Sequence, residues 1–151
     1  MTVCRAAGVT LFTMQDARKL VVYAEARELA VAVYRLTRDF PTAERFGLTQ
    51  QLRRAAVSVG SNIAEGCGRK GSRALVPFLH YAIGSTKELE FQTELAATLE
   101  YCPSSDAEIV LERVRRTRRM LIRLETAIRQ RSLGAGRPSL PTPHSPPDQP
   151  R

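Results

Sequence analysis

The residues in this chain best suited to chemistry are arginines. Arg115, Arg116, Arg119 and Arg123 are spaced so that, at about 100° per residue, they fall on one side of a helix. A guanidinium stripe of that kind fits the phosphates of a nucleic acid. Glu112 stands one turn away, so partial ion pairing on a solvated face is the other reading of the same residues. Arg53 and Arg54 form a second basic pair, available to a partner or to Glu88 and Glu90 as internal ion-pair partners.

Nothing in the chain has the spacing of a catalytic or metal site. His80 and His144 lie far apart, and Cys4, Cys67 and Cys102 form no Cys-x-x-Cys or Cys/His set. Ser61 and its neighbours have no histidine or lysine placed to activate them. Glu88, Glu90 and Glu94 share a stretch of helix without the Glu-x-x-His pairs of a di-iron bundle. The expectation is a non-enzymatic protein without cofactor or metal.

Composition sets the frame for those residues. The chain has 151 residues, 43% hydrophobic and 25% charged, with a formal net charge of +8. Its pI of about 10.1 is compatible with nucleic acid or another anionic partner. Twenty of the 23 basic residues are arginine, a bias that a GC-rich genome also produces. Aromatic residues are only 6% and there is no Trp, which suits a Leu/Val/Ala core better than a base-stacking surface. No apolar run approaches the roughly 18 residues of a membrane span, and the N-terminal stretch does not read as a signal peptide. A reduced, cytoplasmic protein is expected.

Four helical patterns carry the candidate residues. The first runs from about Asp16 to Arg38, with Val22, Ala26, Leu29, Val33 and Leu36 on one face, and stops before Pro41. The second extends from a Thr49 N-cap to about Glu65. Leu52, Ala55, Ala56, Val59 and Ile63 line its core face, and Arg54, Ser58, Ser61 and Glu65 form a strip that would admit another helix closely. Gly60 predicts a bend or close contact in mid-helix. The Gly66–Gly71 link lacks the strand and Gly-Lys-Ser/Thr ending of a phosphate loop.

The third pattern spans about Ser72 to Leu99, with Pro77 displacing or kinking its start. Its main seam is Leu75, Leu79, Ala82, Thr86, Leu89 and Ala96. A second stripe of Phe78, Tyr81, Ser85, Leu95 and Leu99 exceeds what one core needs and predicts a further buried surface. The fourth begins at a Ser105/Glu108 capping box and continues to about Arg131. Its Val110, Val114, Thr117, Leu121, Leu124 and Ile128 make a heptad seam. The fold class predicted is all-α, an antiparallel up-and-down four-helix bundle. Residues 1–15 read as a flexible arm, 16–131 as the bundle and 132–151 as a disordered tail holding six of the nine prolines.

Three segments carry a family resemblance: Phe40-Pro41 with Glu44 to Thr49, QLRRAAVSVGSNIAEGCGR from Gln51 to Arg69, and FLHYAIGSTKELE from Phe78 to Glu90. Over about Leu20 to Arg129 the chain resembles the bacterial four-helix-bundle proteins named for intervening sequences in 23S rRNA genes. Asn62 and Glu65 add specificity to the match because helix periodicity does not demand them. The chain departs from the family pattern at Gly60, where proline is frequent, at Tyr23, where Trp is common, and at Pro77. The resemblance implies a ring-shaped homo-oligomer, a pentamer, and distant kinship with accessory proteins of diversity-generating retroelements. It carries over no catalytic residues. The functional expectation is an oligomeric, nucleic-acid-associated scaffold contacting RNA or DNA through Arg53, Arg54, Arg115, Arg116, Arg119 and Arg123. The alternative is a protein–protein adaptor whose basic surface meets an acidic partner.

Overall fold

A computed structural model of the chain describes residues 16–134. The expected arm (1–15), Cys4, and the Pro-rich tail from 135 onward, with His144, lie outside the described residues. Those that are described form four α-helices and no strand: α1 (Val21–Leu36), α2 (Leu48–Cys67), α3 (Val76–Thr98) and α4 (Ser104–Gly134). Each helix packs against two others, α1 and α3 both lying against α2 and α4.

The predicted apolar faces make the core. Leu29, Leu52, Ile63, Leu79, Leu89 and Leu121 are fully buried, each contributing about 1.5–3 kcal/mol of transfer free energy. The fourth-helix seam is buried at Val110, Val114, Thr117, Leu121 and Ile128, with Leu124 packed at its edge. Threonines enter this core by returning their hydroxyls to their own helix. Thr86 donates to the Ile83 carbonyl at 2.7 Å, Thr93 to Leu89 at 2.7 Å and Thr117 to Arg113 at 2.8 Å.

Helix ends depart from expectation in instructive ways. The first helix is preceded by a separate 3-10 turn, Ala17–Lys19, because extended Leu20 interrupts the ladder. Thr49 is not the cap of α2: Gly47 holds that position, and the Glu44 carboxylate accepts the Leu48 amide at 2.8 Å. Thr49 lies inside the first turn, buried, with its hydroxyl unpartnered. The Ser105/Glu108 capping box does not form either. The Pro103 carbonyl accepts the Asp106 and Ala107 amides, α4 starts at Ser104, and Glu108 turns to Arg115. Pro77 causes no kink, since it stands in the first turn of α3, where its missing N–H is harmless.

Two glycine-related features fix the connections. Gly66 is the close contact of α2, where a Cβ would run into Leu75 and Phe78 at the start of α3. The expected close contact at Gly60 is looser, since a Cβ added there would lie 3.9 Å from the Ala26 methyl, an ordinary contact distance. At the end of α3, Glu100 takes the left-handed conformation (φ 59°) that glycine usually supplies. Its amide reaches the Ala97 carbonyl at 3.0 Å, and that of Tyr101 reaches Ala96 at 3.0 Å.

Candidate functional site

The fourth-helix arginines do not form one free stripe. Arg115 Nε lies 3.1 Å from Glu90 Oε1 of α3, and its Nη1 lies 2.9 Å from Glu108 Oε1. Arg118 donates to the second oxygen of Glu90. On the opposite flank, Arg113 is 3.1 Å and Arg116 3.5 Å from the Glu25 carboxylate of α1. Arg119 is 3.4 Å from Glu112, which therefore serves neither Arg115 nor Arg116. Arg123 alone of the expected four has no acidic partner among the described residues. A helical wheel places backbone positions; a long guanidinium arm bends from there toward whichever neighbouring helix offers a carboxylate.

Glu25 and Glu90 are the centres of this arrangement, each bridging two arginines while mostly covered, at 11% and 24% side-chain exposure. The bond from Arg118, and then that from Arg115, hold the Glu90 carboxyl below its ordinary range against the opposing effect of burial. Arg115 is held up by its bonds to Glu90 and Glu108. Further along, His80 Nε2 lies 2.8 Å from Glu125 Oε1, and Arg129 Nε lies 2.6 Å from the same oxygen. His80, chiefly, and Arg129 lower the Glu125 carboxyl. His80 is thus an exposed member of a hydrogen-bonded α3–α4 cluster.

The pair on α2 behaves differently. Arg53 does not reach Glu88 or Glu90, because it lies on the α1 flank of α2. Its Nε donates to Thr37 Oγ1 at 2.9 Å, its Nη2 donates to the Thr37 carbonyl at 3.3 Å, and its guanidinium sits 4.8 Å from the Tyr34 ring centre. Glu88 instead accepts from Gln92 at 2.9 Å. Arg54 is exposed and makes no hydrogen bond or ion pair among the described residues. In the connection before α2, Arg45 lies 5.5 Å from the ring centre of Phe46, itself 78% exposed. Tyr34, Arg45, Phe46, Arg53 and Arg54, with Val57 and buried Thr49, line an open groove of about 510 Å³ that has no acidic side chain in its wall.

Tyr34, Arg45 and Phe46 were not singled out by sequence reasoning. Tyr34 sits on the edge of an apolar stripe, and Phe46 reads as turn filler. The usable signal was the adjacency of basic and aromatic residues in Arg45-Phe46, inside a motif whose other polar residues have structural work. Asn62 donates to the Ser58 carbonyl and hydroxyl at 2.8 and 3.0 Å, and Ser58 Oγ meets Ser85 Oγ of α3 at 3.0 Å. Glu65 pairs with Arg69 at 2.6 Å. The small-residue strip of α2 therefore receives α3 of the same chain at Ser58 and leaves Ser61 exposed. The second stripe of α3 divides in the same way: Ser85 is buried, while Tyr81 and Leu99 remain 62% and 46% exposed.

No group of three or more His, Cys, Asp or Glu side chains able to hold a metal occurs among the described residues. No helix there is long and apolar enough to cross a membrane. Burial, chiefly, pushes the Cys67 and Cys102 thiols up, so neither is prepared as a nucleophile.

These features define a four-helix, arginine-dressed protein. Residues 18–123 match the 23S rRNA-intervening sequence proteins, and the chain belongs to that family. A solved relative in fold is a protein of unknown function from the S23 ribosomal protein family of Bacteroides thetaiotaomicron. It is 24% identical over 70% of this chain and 98% of its own, with a TM-score of 0.64. No curated protein matches the chain.

Proposed function

We propose that this chain is a non-enzymatic, nucleic-acid-associated scaffold: an antiparallel up-and-down bundle that assembles into a cytoplasmic homo-oligomeric ring, with five subunits expected. The observation that carries the nucleic-acid reading is the groove of α1 and α2. Arg45, Arg53 and Arg54 gather there with no carboxylate in the lining, whereas most α4 arginines are neutralised by glutamates. A cationic surface without internal counter-charge gains most from a polyanion.

The antiparallel arrangement is supported by the order of cross-helix partners. His80 meets Glu125 while Glu90 meets Arg115, and Ala26 faces Gly60 while Thr37 meets Arg53. In both pairs of helices one number falls as the other rises. Assembly is supported by Tyr81 and Phe91 of α3 and Leu99 at its C-terminal cap, large apolar side chains that stand exposed among the described residues.

The test is binding of RNA and DNA across a salt series, with light scattering on the same samples. Affinity should fall with salt, by about 0.7 in the log–log slope for each phosphate contact on a single strand. Absence of binding at low salt would reject the reading in favour of an acidic protein partner, and a monomer would remove the ring.

A further inference from the structure

We propose that the α1–α2 groove is specific for single-stranded nucleic acid, with an unpaired base stacking on Phe46 and the adjoining phosphates meeting Arg45 and Arg54. The inference rests on the nucleic-acid reading above and names the ligand form and the residues that select it.

The groove offers two kinds of surface together. Its charge is purely cationic: Arg45, Arg53 and Arg54 line it, and no Asp or Glu does. Glu44, the residue before Arg45, is committed elsewhere, accepting the Leu48 amide at 2.8 Å and the Tyr101 hydroxyl at 3.2 Å. Its second surface is flat and apolar. Phe46 presents most of its ring to solvent, and Tyr34 is 48% exposed beside the Arg53 guanidinium. The Arg45 guanidinium lies 5.5 Å from the centre of the Phe46 ring, so positive charge and a flat face stand side by side. Aromatic rings and guanidinium planes are what unstacked bases lie against.

A duplex does not use this combination, because its base faces are buried in its own stack and only its phosphates are offered. An acidic peptide matches the charge but not the flat faces. A single strand supplies alternating phosphates and exposed base planes, so it satisfies both. Arg53 is a positioning residue here: its two bonds to Thr37 and its contact with Tyr34 leave it little freedom to follow a ligand. Arg54, which has no partner among the described residues, and exposed Arg45 are the phosphate contacts. Low aromatic content makes such a site easy to overlook, since one exposed ring beside two arginines is enough for one stacked base.

The experiment uses the full chain with fluorescein-labelled oligo(U), a hairpin duplex of similar charge, and polyglutamate as competitor. Phe46→Ala should weaken oligo(U) binding roughly 5- to 150-fold, the worth of one stacked base, and leave duplex binding unchanged. Phe46→Trp should restore oligo(U) affinity. Arg54→Gln should reduce the salt slope by about 0.7. Circular dichroism and light scattering on each variant separate binding from folding and assembly. Wild-type oligo(U) affinity in Phe46→Ala would overturn the site while leaving the broader reading intact if nucleic acid still binds with a salt slope. No nucleic-acid binding by the wild type would sink both. Equal displacement by polyglutamate would reject the single-strand assignment, and so would a change of assembly state in Phe46→Ala, which would mark the groove as a contact between copies.

Discussion

Two arginine-rich regions of this molecule use the same side chain in opposite ways. On α4, guanidinium groups close onto Glu25 and Glu90 and bind neighbouring helices together. On α2, Arg53 meets a threonine and a tyrosine, and Arg54 meets nothing in the described residues. The sequence around the arginines does not decide this; the facing helix does. One flank of α1 presents Glu25 to α4, and its other flank presents Tyr34 and Thr37 to α2. Positive charge is consumed within the fold on one side and left for an outside partner on the other.

The comparison breaks most visibly at Glu90. Glu90→Gln should lower stability by about 2 kcal/mol, because Arg115 and Arg118 lose a charged, mostly covered acceptor. Urea unfolding checks this, and nucleic-acid affinity should not change. Stability equal to wild type would mean that the α4 pairs are surface contacts of no structural weight.

A smaller effect follows from acid. Glu90 and Glu125 both lie below their ordinary value of 4.5, so their contribution is complete above that value and is lost as pH falls through the lowered ones. Unfolding free energy should decline across that acid range, and Glu90→Gln should flatten the decline. An unchanged acid limb in that variant would remove Glu90 as its cause.

Arg53→Lys sharpens the other side. Lysine keeps the charge but cannot form the forked contact with Thr37 or stack on Tyr34, so about 1 kcal/mol of stability should disappear while the salt slope of binding stays the same. A reduced slope in Arg53→Gln, which removes the charge, would make Arg53 a phosphate contact. The smallest effect belongs to Arg123→Gln, expected within about 0.5 kcal/mol of wild type in thermal unfolding, against a measurable loss for Arg115→Gln.

The core was legible in the sequence because helical periodicity is a local property. The seam from Val110 to Ile128 and that from Leu75 to Ala96 needed only the spacing of apolar residues. The caps at Thr49 and Ser105 were misread because a cap depends on where the preceding chain turns. Glu44 folds back to reach Leu48, and Pro103 begins α4 before Ser105. The arginine partners were illegible for a different reason. Glu25 is 88 residues from Arg113, and their meeting depends on how α1 is rotated against α4. The groove was hidden likewise, since Tyr34 and Phe46 acquire meaning only when α1 and α2 lie side by side.

Glu44 reaches further than the cap it supplies. One of its oxygens holds the first turn of α2, and the other accepts the hydroxyl of Tyr101, whose ring also meets Phe40 edge-on at 5.8 Å. The connection between α1 and α2 is thereby fastened to the turn between α3 and α4. In hydrogen exchange, amides around Leu48 and around Tyr101 should open as a single unit, since neither segment can leave without releasing the same carboxylate. The connection from Gly68 to Gly71 is exposed, and its Arg69 reaches only the two helices it joins, at Glu65 and Phe78, so opening should begin there and spread toward the end that Glu44 holds shut.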